Sequence, residues 1–131
     1  MSRSGYSDEG SSWDTIRWRG AVASALRGKR GQQVLVEILA ALDVMPEKEL
    51  IAEALVTPEG KYCTLGVLGA HRGLALDDLD PEDYRRVAKA FDIAPAMAQE
   101  ILWENDDDWY EKETPAERWV RMRAWIAEHV L

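Results

Sequence analysis

Cys63, His71, His129 and two dense runs of carboxylates are the side chains whose types and spacing could do chemistry in this chain. A Cys63–His71 pair is the one arrangement that could activate a nucleophile, because a thiol needs a neighbouring base. The competing reading makes Cys63 a small buried apolar residue, as free cysteines usually are. No Gly-x-Ser-x-Gly elbow occurs. No Cys/His/acid spacing offers the three or four ligands that zinc requires. The residue types therefore point away from an enzyme, and no cofactor or metal is expected.

The acids raise the separate question of a hard cation. Asp77-Asp78-Leu79-Asp80-Pro81-Glu82-Asp83 has the oxygen density of a loop for such an ion, but it lacks the glycine on which a calcium loop turns. Helix capping accounts for most of these acids, and the remainder read as a solvated face. Asp106, Asp107 and Asp108 read the same way.

Charge is also unevenly distributed. The 131 residues carry a net −8. Residues 1–36 hold six basic and three acidic groups, a net of +3, whereas residues 77–113 hold thirteen acidic and four basic groups, a net of −9. Such a field steers partners without choosing a fold. The basic end contains Arg17, Arg19, Arg27, Lys29 and Arg30. Gly31, placed before a helix, would offer amides to an anion, yet Gly-Lys is not followed by the Ser or Thr of a phosphate-binding loop. The cations equally suit the C-terminus of a first helix. At the acidic end Trp103, Glu104, Trp109 and Tyr110 surround the aspartates. Aromatics interleaved with acids suit an interface for a basic partner, or else the rings pack beneath the loop.

Helices hold these groups in place. Ser12 caps a first helix from about Trp13 to Arg27, which Gly28 ends in the left-handed conformation. Trp18, Val22, Ala25 and Leu26 form its apolar stripe, and Gly20, Ala21, Ala23 and Ser24 keep its other surface slim. The second helix, Gln32 to about Val44, places Val34, Leu35, Ile38, Leu39, Ala41, Leu42 and Met45 on one broad face. It is the core helix, stopped by Pro46. Residues 50–64 read as a small β-hairpin turning at Thr57-Pro58-Glu59-Gly60; a helix over 47–55 competes, since Glu and Ala favour it. Leu65 to His71 is a short helix closed by Gly73, with Gly66 and Gly69 allowing close approach.

Asp80 as cap and Pro81 at the first position start a further helix, with Tyr84, Val87, Ala88 and Phe91 facing inward. Pro95 opens the next, with Met97, Ala98 and Ile101 inward. The pair has helix-turn-helix spacing, but no Lys or Arg lies between Ala90 and Glu111 to meet phosphates. Direct nucleic-acid binding there is not expected, and the two helices read as a corner of the core. Thr114, Pro115 and Glu117 form a capping box for the last helix. Trp119, Met122, Ile126 and Val130 face inward, flanked by Val120 and Ala127. Arg123 falls within that face and needs a carboxylate. Trp125 falls among arginines, either as an exposed interaction hot spot or covered by the N-terminal segment.

No apolar run reaches the ~18 residues of a membrane span. One cysteine excludes an internal disulfide and fits a reducing cytoplasm. The expected architecture is mainly α, with α+β as the open alternative. A single compact domain (residues 13–131) of five or six short helices carries the small hairpin near 50–64, preceded by a mobile segment at 1–12.

Ile16-Arg17-Trp18-Arg19-Gly20-Ala21-Val22-Ala23-Ser24-Ala25 leading to Arg27-Gly28-Lys29-Arg30-Gly31-Gln32, Tyr62-Cys63-Thr64-Leu65-Gly66-Val67-Leu68-Gly69, the Asn105-Asp106 pair and Thr114-Pro115-Ala116-Glu117-Arg118-Trp119 through Trp125-Ile126 resemble small uncharacterised proteins encoded by phages and prophages of proteobacteria. That resemblance implies an accessory protein of a mobile element in the bacterial cytoplasm; it carries no activity and no site residues.

Two functions follow as expectations. The first is a non-enzymatic acidic interaction protein, of anti-defence type, that occupies the basic surface of a host nucleic-acid-handling complex. Its face would comprise Asp77, Asp78, Asp80, Glu82, Asp83, Trp103, Glu104, Asp106, Asp107, Asp108, Trp109, Tyr110 and Trp125. The second is a weak nucleic-acid or anion binder using Arg17, Arg19, Arg27, Lys29 and Arg30.

Overall fold

Val34, Leu35, Ile38, Ala41 and Leu42 recur at helical spacing, and all are buried. In a computed structural model, the residues described are 12–107 and 112–131. They form six helices: α1 (Ser12–Arg27), α2 (Lys29–Asp43), α3 (Thr64–Arg72), α4 (Tyr84–Phe91), α5 (Pro95–Asn105) and α6 (Pro115–His129). Helix α2 packs against α1, α3 and α6, while α5 packs against α1, α3, α4 and α6. All five of those α2 residues are buried, as are Leu65 and Leu68 of α3, Phe91 of α4, Met97 and Ile101 of α5, and Met122 and Ile126 of α6. Each of these side chains larger than alanine contributes on the order of 1.5–3 kcal/mol by leaving water. The expected mobile segment at 1–12 lies outside the described residues except for Ser12, where α1 begins.

Several local signals act as the sequence predicts. Thr114 Oγ1 accepts from the Glu117 amide at 3.1 Å, and Glu117 Oε1 accepts from the Thr114 amide at 2.9 Å, completing the capping box. Gly73 closes α3 at φ 73°. Gly66 is required for a close approach, since a Cβ there would lie 2.0 Å from the Leu55 carbonyl oxygen.

Other signals act differently. Gly28 is not left-handed: it sits at φ −62°, ψ 157° as the residue before α2. Helix α2 therefore starts at Lys29, and Gly31 lies inside it, where a Cβ would meet the Ala25 carbonyl oxygen at 1.9 Å. Helix α4 starts at Tyr84 with Asp83 as its cap. Asp80 caps only the preceding turn, accepting from the Glu82 amide at 2.9 Å. Val120 is exposed instead of flanking the core.

The small β-hairpin near 50–64 does not form, nor does the competing helix. Among the described residues there is no strand, only an isolated antiparallel bridge between Val56 and Tyr62. The turn end keeps internal bonds, the Thr57 amide to the Lys61 carbonyl and the Cys63 amide to the Leu55 carbonyl, but at 50–53 other parts of the chain take backbone groups that a ladder or helix would use. The Leu50 amide donates to the Pro115 carbonyl at 3.0 Å. Arg118 Nη1 donates to the Leu50 carbonyl, Asn105 Nδ2 to the Ile51 carbonyl, and the Glu53 amide donates to Asp106 Oδ1. Glu53 itself is held at φ 69°, a left-handed backbone costly for a residue with a Cβ.

Candidate functional site

Asn105 is the last residue of α5 and is 1% exposed. Its Oδ1 accepts from the Thr64 amide at 3.1 Å and from Thr64 Oγ1 at 2.8 Å. Its Nδ2 donates to the Ile51 carbonyl at 2.9 Å and to Asp106 Oδ1 at 2.7 Å. One amide thus ties the start of α3, the 50–53 segment and the end of α5 together. Asp106 continues the chain of bonds to the Glu53 amide. Burial pushes the Asp106 carboxyl above its ordinary range, while the bonds from Glu53 and Asn105 pull it back.

Two arginines of α6 close this node from the other side. Arg118 Nε donates to the Asn105 carbonyl at 3.1 Å. Arg121 Nη1 donates to the Glu104 carbonyl at 2.9 Å and to Glu104 Oε1 at 3.3 Å. Both cations sit on the last carbonyls of α5, where the helix end is negative. Glu113 neutralises them: Arg121 Nε and Nη2 reach its carboxylate at 2.7 and 3.0 Å, and Arg118 Nε at 3.4 Å. The Glu113 side chain keeps only 7% of its exposure. Glu104, Asp106 and Glu113 are therefore half-buried and tied internally, unlike the solvated face expected for Glu104 and Asp106. Trp103 is half-buried beside them, as is Asp107. Asp108, Trp109 and Tyr110 lie outside the described residues.

The other acidic run is different. Asp77, Asp78, Asp80, Glu82 and Asp83 are all exposed. Asp80 and Asp83 each accept a backbone amide, and among the described residues none of the five meets a cation within ion-pair distance. Nor does any group of three His, Cys, Asp or Glu converge among the described residues.

Trp125 is not an exposed hot spot. It is half-buried against the core, with its ring 4.3 Å from that of His129. Arg123 finds its predicted carboxylate, with Nε and Nη2 at 2.6 and 3.0 Å from Asp43, but the pair is exposed. Arg17, Arg19, Arg27, Lys29 and Arg30 are all exposed, and Arg30 pairs with Asp92 at 3.3 Å.

Cys63 is buried at the cap of α3, where Sγ accepts from the Gly66 amide at 3.4 Å. Burial pushes its thiol up to about 12, so it is not a thiolate at neutral pH. His71 is exposed near the far end of α3, roughly 12 Å away along a helix rising 1.5 Å per residue. The two do not form a pair.

Sequence reasoning missed the roles of Thr64, Asn105, Glu113, Arg118 and Arg121. The available signal was local: Thr64 stands at the start of the short helix and Asn105-Asp106 at the end of another, positions where side chains commonly bond to backbone groups. Comparisons of the chain with family models, curated proteins and solved structures return no match.

Proposed function

We propose that the chain is a non-enzymatic interaction protein presenting an acidic surface, built on Asp77, Asp78, Asp80, Glu82 and Asp83, to a basic surface of a partner protein. The observation that carries this reading is that five carboxylates within seven residues are exposed and unneutralised by any described cation. Grouping like charges at one loop is electrostatically unfavourable unless a complementary surface or solvent balances them. The resemblance to phage-encoded proteins suggests the partner: a host complex that handles nucleic acid, reached in the bacterial cytoplasm, whose basic groove this loop would occupy.

The test is a tagged pull-down from bacterial lysate, with and without nuclease. Capture of a protein that survives nuclease and is lost in Asp77→Asn/Asp78→Asn/Glu82→Gln supports the reading; capture insensitive to those three changes overturns it. A second reading, anion binding at Arg27, Lys29 and Arg30, is favoured by one observation. Helix α2 begins beside them without a side-chain cap and without an acid in its first turn. Recovery of nucleic acid that disappears in the triple alanine variant of those residues would select it.

A further inference from the structure

A groove of about 540 Å3 opens between the C-terminal half of α2, the outer side of α3 and the turn at 57–62. Val44, Met45, Val67 and Tyr62 give it apolar walls, and Glu47, Glu49 and Glu59 stand at its rim. Its size falls within the range of about 300–1,000 Å3 typical of binding clefts. One cation, Lys61, shares the rim and is already paired with Glu47 at 2.8 Å. The apolar surface continues outward, since Val44 is 72% and Val36, two turns earlier on α2, 53% exposed.

The same chain carries a surface of the opposite kind. Trp13, Ile16, Arg17, Gly20, Ser24 and Arg27 fall on one stripe of α1 by helical spacing, and all are exposed. Trp13 and Ile16 are each 59% exposed. The Arg17 guanidinium lies 5.4 Å over the Trp13 ring, and nothing lies within 4 Å of a Cβ added at Gly20. The stripe is apolar at its start, flat in its middle and basic along its flank, with Arg19 also exposed.

We infer that the acid-rimmed groove receives the Trp13–Ile16–Arg17 face of α1 from a second copy of this chain, head to tail. Charge disfavours the pairing of like faces. Two grooves face to face would oppose glutamates to glutamates, and two α1 faces would oppose arginines, whereas groove against α1 sets acids on cations over apolar walls. A patch on one side of a molecule that fits a pocket on another side makes a heterologous contact, which closes into a ring or continues as an open chain.

Sedimentation equilibrium of the full chain tests this, from about 1 to about 200 µM, a span suited to micromolar interfaces. The wild type is expected to rise above its monomer mass of 14.8 kDa with concentration, and to fall back toward it with added salt. Ile16→Glu and Val44→Glu should each remain monomeric. Their equimolar mixture should give a species of twice the monomer mass and no larger, because each variant retains the half that the other lacks. Both positions are exposed, so their circular dichroism should match the wild type. Should either lose its helical spectrum, Arg17→Glu and Glu49→Lys replace them with the same expected outcomes. A wild type that stays monomeric throughout, association that survives either substitution, or a mixture that remains monomeric would each overturn the inference.

Discussion

Between Asp77 and Asp83 five carboxylates reach solvent, while between Glu104 and Glu113 a stretch of similar acidity turns Glu104, Asp106 and Glu113 inward. The difference lies in what arrives from elsewhere in the chain. Helix α6 delivers Arg118 and Arg121 to the second stretch, and the 50–53 segment delivers backbone amides and carbonyls. Nothing comparable reaches the first stretch among the described residues. An acid run in a sequence thus has two possible occupations, solvent face or internal tie, and the choice depends on partners distant in sequence.

Glu113→Gln puts the greatest strain on this distinction. It removes the carboxylate that Arg118 and Arg121 share, leaving Glu104 as the described carboxylate on Arg121, and is expected to cost about 3 kcal/mol in urea unfolding. A cost no greater than that of an ordinary surface substitution would mean that the second stretch is solvated like the first. Asn105→Ala comes next, at about 2–3 kcal/mol, because it strands the Thr64 amide and hydroxyl and the Ile51 carbonyl in the interior.

Asp106→Asn extends the contrast to pH. The folded carboxyl of Asp106 is raised by burial, so the native state holds its proton more tightly than the unfolded chain. Its contribution is most favourable below the unfolded value and is lost as pH rises through the folded value. Asparagine keeps an acceptor for the Glu53 amide and removes this loss. The stability of the variant relative to wild type should therefore climb upward from about pH 4, the ordinary aspartate range. Glu37 has the opposite sign, because the Arg72 hydrogen bond holds it low. Its stabilisation is present above the unfolded value and disappears as pH falls through the folded one. A difference curve flat from acid to neutral pH would place Asp106 with the solvated acids.

The smallest stability effect belongs to Asp77→Asn/Asp78→Asn/Glu82→Gln, expected to stay within about 0.5 kcal/mol of wild type because no described internal ion pair is lost. Partner capture, in contrast, should vanish. A large change in stability here would show that the first stretch is also structural.

Much of the helical framework was legible because its signals are local. The apolar period of α2, the Pro95 start of α5 and the Thr114/Glu117 box of α6 each operate within a turn or two of chain. Segment 50–63 was not legible. Its alternation and its turn residues favour a hairpin, and the turn at 57–60 forms, but the backbone groups of 50–53 bond largely to Asn105, Asp106, Pro115 and Arg118. The environment of Trp125 was hidden for a related reason, since a helical wheel does not show that His129 and the core cover the ring.

Local signals along the chain therefore suffice for the helices, for the central place of residues 34–42 and for the existence of two acidic stretches. Which stretch is internal, why 50–63 stays irregular and where Thr64 meets Asn105 are settled only when the helices pack. Periodicity and caps act between near neighbours along the chain. A buried polar group takes whatever partner the fold brings within about 3 Å, and for Asn105 that partner stands 41 positions away.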